Sequence, residues 1–186
     1  MSFLSRLLSV SVLILIITFT LGCSTSVDDY AEQSPQFSLE EYFQGDIVAW
    51  GMVQDYSDKV VRRFCVEMTG TWQQDKGLLA ETFYFDDGEE SYRNWQLTRV
   101  KKGVYQGQAE DVTGDAFGHA KGFAFQWQYV LALEVDGTTY QLSLDDWMYQ
   151  LDEYRLFNKT AMKKFGVTVA NITLFFDKQK PLRTCK

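Results

Sequence analysis

Leu79-Ala80-Glu81-Thr82-Phe83-Tyr84-Phe85-Asp86-Asp87-Gly88 is the stretch that decides the fold class. Leu79, Phe83 and Phe85 alternate with Ala80, Thr82 and Tyr84, and that two-residue period sends the first set toward a core on one face of a strand. The run stops at Asp87-Gly88, a pair suited to a tight hairpin turn in which both central residues take positive φ. Tyr92 to Val100 is then the returning strand. The same pattern extends both ways along the chain. Phe64, Val66 and Met68 read as inward, with Arg63, Cys65 and Glu67 outward. Trp127, Tyr129, Leu131, Leu133 and Val135 lead into Asp136-Gly137, and Tyr140, Leu142 and Leu144 come back. Val104 to Glu110 and Val167 to Phe176 complete the strand-like segments.

Two segments depart from this period. Ser38-Leu39-Glu40-Glu41-Tyr42-Phe43 reads as one helical turn capped by Ser38. Asn158 to Gly166 predicts a short helix with Ala161, Met162 and Phe165 on one face, although a two-residue period through Leu156, Asn158, Thr160 and Met162 fits almost as well. The whole is an all-β, mainly antiparallel chain of about eight to ten strands, a barrel or a strongly curved sandwich. A barrel of about eight strands has room to be filled by side chains or to hold one small ligand.

Residues 1–22 have the order of a secretory signal: Arg6, an apolar stretch from Leu7 to Leu21, then Gly22 before Cys23. The stretch is short for a membrane-spanning helix, and a permanent single span is the alternative. Thr20-Leu21-Gly22-Cys23 resembles the lipobox of bacterial lipoproteins, which predicts acylation of Cys23. Ser24, with no Asp in its place, points to the periplasmic face of the outer membrane, with the bilayer as partner through the acylated cysteine. Residues 23–36 are polar and read as a tether, and 37–186 as a single domain.

The chain carries a formal net charge of −7. That balance argues against nucleic acid as a partner. Of the three cysteines, Cys65 and Cys185 remain after Cys23, compatible with one disulfide in an oxidising compartment or with two buried thiols. The absence of any Cys-x-x-Cys leaves a redox motif or zinc ribbon without support, and neither a metal nor a cofactor is expected.

The single histidine, His119, has no Gly-x-Ser-x-Gly nucleophile near it, so a Ser-His hydrolase is not indicated. Asp86-Asp87 and Glu89-Glu90 flank a turn glycine and read as solvated. Asp145-Asp146, next to Trp147, is a pair in which an inward carboxylate would need Arg or several backbone donors, and Arg93 is the expected partner, as a structural salt bridge or as ligand recognition. The tryptophans Trp50, Trp95, Trp127 and Trp147 join Arg93, Asp145 and Asp146 as candidate ligand-binding residues, with core filling as the competing role. Gly103, Gly107, Gly114, Gly118 and Gly122 read as bends or bulges.

Several motifs agree in order with one family. Tyr42-Phe43-Gln44-Gly45, Ala49-Trp50-Gly51, Arg63-Phe64-Cys65-Val66, Leu79 to Gly88, Asp111-Val112-Thr113-Gly114-Asp115-Ala116-Phe117-Gly118, Asp145-Asp146-Trp147-Met148 and Lys164-Phe165-Gly166 together resemble the DUF3833 family of proteobacterial lipoproteins. The resemblance implies a lipocalin- or calycin-like barrel and suggests an association with modified fatty acids; it brings no established activity with it. The leading expectation is a lipoprotein that binds or shields an apolar molecule such as a fatty acid or other lipid. A solid-cored envelope interaction protein is the alternative, and a lipid-acting enzyme using Asp145 or Asp146 is the third.

Overall fold

The computed structural model describes residues 25–135 and 137–186. The expected signal segment, residues 1–22, and Cys23, the expected acylation site, lie outside the described residues. Alternating apolar residues and tight turns produce ten antiparallel strands: β1 (Gly45–Asp55), β2 (Val60–Gln73), β3 (Lys76–Phe85), β4 (Glu90–Lys101), β5 (Val104–Gln108), β6 (Ala116–Lys121), β7 (Ala124–Val135), β8 (Thr138–Gln150), β9 (Arg155–Lys164) and β10 (Val167–Asp177). Each pairs with the next, and β1 pairs with β10, so the sheet closes into a barrel. The turn glycines Gly88 and Gly137 have positive φ, but Asp87 does not: between β3 and β4 the chain makes a three-residue loop, Asp86-Asp87-Gly88, closed by the Gly88 amide on the Phe85 carbonyl and the Phe85 amide on the Glu89 carbonyl, in place of the expected two-residue turn.

The expected helix over Asn158 to Gly166 is instead strand β9 and its turn. The two-residue period wins because Leu156, Asn158, Thr160 and Met162 all turn inward and are buried, while β9 pairs with β8 on one side and β10 on the other. Propensity for so short a helix is weak against two ladders of backbone hydrogen bonds.

One end of the barrel is stoppered. α1 (Leu39–Tyr42), capped by the Ser38 hydroxyl, brings Phe37, Leu39, Tyr42 and Phe43 into the core. The plug is anchored by Glu40, which meets Arg99 at 2.7 Å and accepts from the Tyr105 hydroxyl at 2.5 Å, and by the Tyr42 hydroxyl, which donates to the Tyr154 carbonyl at 3.0 Å. Ahead of it, the stretch expected as a tether is folded against the wall: Val27–Tyr30 form a 3-10 turn, Val27 is buried, and Tyr30 packs edge-on against Phe123, Trp147 and Tyr149.

Not all the glycines make bends. Gly107 and Gly118 sit within strands, where a Cβ would lie 2.8 Å and 2.4 Å from the Trp127 ring. Their missing side chains are the space that Trp127 fills at the plugged end.

β5 and β6 are short, so the mouth-side halves of β4 and β7 have no strand between them. The connection after β5 fills that gap. Val112 bridges to Leu131, the Thr113 and Ala132 amides exchange hydrogen bonds with Val130 and Asp111 carbonyls at 2.8 Å, and Glu110 accepts from the Asn94 amide at 2.9 Å. Outside the barrel Cys65 and Cys185 form a disulfide that ties the C-terminal segment to β2.

Candidate functional site

The barrel is hollow. A cavity of about 430 Å³ runs from Leu39 and Phe43 at the plug to Val61 and Leu133 at the other end. Those two side chains are themselves solvent-exposed, so the cavity opens at that rim. Its walls are mainly aliphatic and aromatic. Phe64, Phe83 and Phe85 pack with each other at ring separations of 5.6–6.1 Å on one side, and Leu131, Leu144 and Met162 cluster on the other. The size and character suit a small apolar molecule.

The strand parity sorts the candidate residues. Trp95 and Trp127 line the cavity, in edge-to-face contact at 5.5 Å, and Arg93 and Asp146 also face it. Trp50, Asp145 and Trp147 do not line it. Trp50 lies opposite the outward Cys65 on β2. Trp147 stacks on Tyr149 outside the wall. Asp145 is held on the outer face by Gln126 at 2.7 Å and Lys163 at 3.2 Å. Adjacent residues of a strand point to opposite faces, so Asp145, Asp146 and Trp147 could never have shared one site.

The expected ion pair between Arg93 and Asp145 or Asp146 is not formed. Arg93, on β4, donates from Nε and Nη2 to Asp111 at 2.9 and 2.6 Å, and its Nη1 lies 3.8 Å from Glu81 on the neighbouring strand. Asp146, on β8, accepts from the Asn158 side-chain amide, and the Thr160 hydroxyl donates to Asn158 Oδ1 at 3.2 Å. The strands that carry Arg93 and Asp146 are on different sides of the barrel, and each residue finds a nearer partner.

Glu81, Tyr129, Asn158 and Thr160 were not singled out from the sequence. All four line the cavity. The signal was available: Glu81 sits in the inward slot between Leu79 and Phe83, where parity demands an apolar residue. Burial pushes the carboxyls of Glu81 and Asp146 up to about 7 in each case, against the opposing pull of Arg93 and Asn158 respectively. The Tyr129 hydroxyl is raised by burial as well and stays protonated. His119 points outward from β6 and is exposed, and no group of three or more His, Cys, Asp or Glu among the described residues could hold a metal ion.

The family described as protein of unknown function (DUF3833) matches residues 17–178. The chain belongs to the DUF3833 family. No curated protein sequence matches it. Among solved structures, an S-type phycobiliprotein lyase from Guillardia theta is similar to this DUF3833 protein with a TM-score of 0.55 and 8% identity, over 84% of this chain and 100% of the lyase. Lobster apocrustacyanin A1 has a TM-score of 0.38 and 16% identity, covering 86% of this chain and 72% of its own. Apocrustacyanin C2 has a TM-score of 0.39 and 17% identity, covering 87% and 74%. The likeness to the lyase is one of fold.

Proposed function

We propose that this DUF3833 protein is a lipid-anchored binding module that holds an apolar small molecule, a lipid, inside its barrel at the periplasmic face of the outer membrane. The observation that carries the reading is the open cavity of about 430 Å³ with aromatic and aliphatic walls. An apolar guest gains about 25 cal/mol for each Å² it removes from water, and the plug under the cavity prevents it from passing through. A solid-cored interaction barrel would have no such space. The anchor rests on Thr20-Leu21-Gly22-Cys23 and Ser24. Acyl chains on Cys23 would keep the barrel close to a bilayer, from which its guest would be drawn.

Organic extraction of the protein purified from membranes, followed by mass spectrometry, should release a lipid at near one-to-one stoichiometry. Added lipid should change the fluorescence of the extracted protein, because Trp95 and Trp127 line the cavity. An empty extract together with unresponsive fluorescence would overturn the reading. Metabolic labelling with palmitate should mark the protein and be lost in Cys23→Ser; label retained in that variant would remove the anchor.

A further inference from the structure

The cavity wall is divided by a polar belt. Glu81 on β3, Arg93 on β4, Tyr129 on β7, Asp146 on β8, and Asn158 and Thr160 on β9 all occupy inward slots at mid-height. On the plug side of the belt lie Leu79, Trp95, Trp127, Met148 and Leu156, and on the mouth side Phe83, Leu131, Leu144 and Met162. Six polar residues between two apolar zones are costly to bury, and a guest that is apolar throughout leaves them without a partner. One is already without. Glu81 Oε2 is buried and has no hydrogen bond, since its nearest cation, Arg93 Nη1, is 3.8 Å away.

The charges of the belt restrict what it can meet. The cations that line the cavity are Arg93 and, near the rim, Arg62. Both are paired with carboxylates: Arg93 with Asp111 in a two-point contact, Arg62 through Nη2 with Asp87 at 2.9 Å and Glu89 at 2.5 Å, which offset its charge although its Nε has no partner. Facing them from the other strands are Glu81, Asp146 and the neutral Tyr129, Asn158 and Thr160, while β1, β2 and β10 contribute apolar residues such as Val53, Met68 and Leu174 at this height. The belt thus has no spare positive charge and has one buried carboxyl group with an unpartnered oxygen.

We propose that the guest of this cavity is an uncharged lipid carrying a hydrogen-bond acceptor, a hydroxyl or carbonyl oxygen set against its apolar body, which receives a hydrogen bond from Glu81, and that the belt rejects fatty-acid anions. This rests on the reading of the barrel as a lipid holder. A carboxylate at the belt would lose its hydration with no free guanidinium to offset it, and once the pH passes about 7 it would also face two ionised acids, which is the arrangement that selects against a charged competitor. A neutral oxygen meets a donor, because burial keeps a proton on Glu81 and on Asp146 until the pH passes about 7.

The test compares dodecanol, dodecanoate and dodecane as probes, read by tryptophan fluorescence on the purified full chain at pH 6 and pH 8.5. Dodecanol should bind about tenfold or more tightly than dodecanoate at both values. Its affinity should fall as the pH rises and the belt acids ionise, and Glu81→Gln, which keeps a neutral donor, should lose most of that fall. Dodecanoate binding as tightly as dodecanol, or a pH dependence unchanged in Glu81→Gln, would overturn the inference and leave the lipid-holding reading standing. Failure of all three probes to bind would overturn both.

Discussion

Arg93 clasps Asp111 with two nitrogens at 2.6–2.9 Å, joining β4 to the connection that fills the gap in the barrel wall. The contact is at once part of the cavity lining and a fastener for the wall. Arg93 is 19% exposed and Asp111 36%, so the pair is only partly in water. Arg93→Ala should therefore destabilise the fold by about 3 kcal/mol, because Asp111 loses its two-point partner and β4 loses its fastener to the connection after β5. Urea unfolding of Arg93→Ala, Asp111→Asn and the double variant would check this; additive losses would mean that the two residues are not coupled.

The buried acids set a pH dependence of known sign. With their carboxyls pushed up to about 7, the folded chain keeps two protons that the unfolded chain has released above about pH 4.5. Their contribution is complete at acid pH and is lost as the pH climbs through about 7, by about 3 kcal/mol apiece. The ligand-free protein should melt at a lower temperature at pH 8.5 than at pH 5.5, and Glu81→Gln should narrow the difference. A melting temperature that rises over that interval would contradict the burial of both acids.

Filling the cavity should abolish binding without abolishing the fold. Ile172 lines the hollow and is only partly buried. Ile172→Trp introduces bulk into open space, so the cost in stability should stay within about 1–3 kcal/mol while lipid co-purification is lost. Retention of the extracted lipid in a folded Ile172→Trp would place the guest elsewhere.

The disulfide between Cys65 and Cys185 closes a loop with a sequence separation of 120. Cys185→Ser should lower stability by about 2–4 kcal/mol in guanidinium unfolding, and reductant should bring the wild type to the same level. The barrel itself closes through β1 and β10, so the variant should keep its β circular-dichroism spectrum.

Phe165 turns the β9–β10 hairpin at φ +51 and is 96% exposed. A bulky side chain in the left-handed region is unfavourable, and Asn tolerates it better. Phe165→Asn should raise stability by about 0.5–1 kcal/mol, measured by thermal unfolding. A loss of stability would show that the exposed ring makes a folding contact.

What the sequence by itself determined is the antiparallel all-β chain and the parity of its strands. The alternation at Leu79 to Phe85 and at Trp127 to Leu144, with Asp-Gly at the turns, is a local property: a period of two fixes which side chains share a face whatever the rest of the chain does. It also pointed to Trp95, Trp127, Arg93 and Asp146, which line the cavity. It failed where two local patterns competed, at Asn158 to Gly166, and where a residue was judged by its type and not by its slot. Trp50 and Trp147 are aromatic and outward, while Glu81 is charged and inward. Only the tertiary structure decided that the barrel is hollow and which polar groups meet across it. Closure of β1 on β10 brings Glu81, Arg93, Asp146 and Asn158 around one space, and the connection after β5 carries Asp111 back to Arg93. Such meetings depend on register and shear summed over ten strands, which no single stretch of sequence encodes.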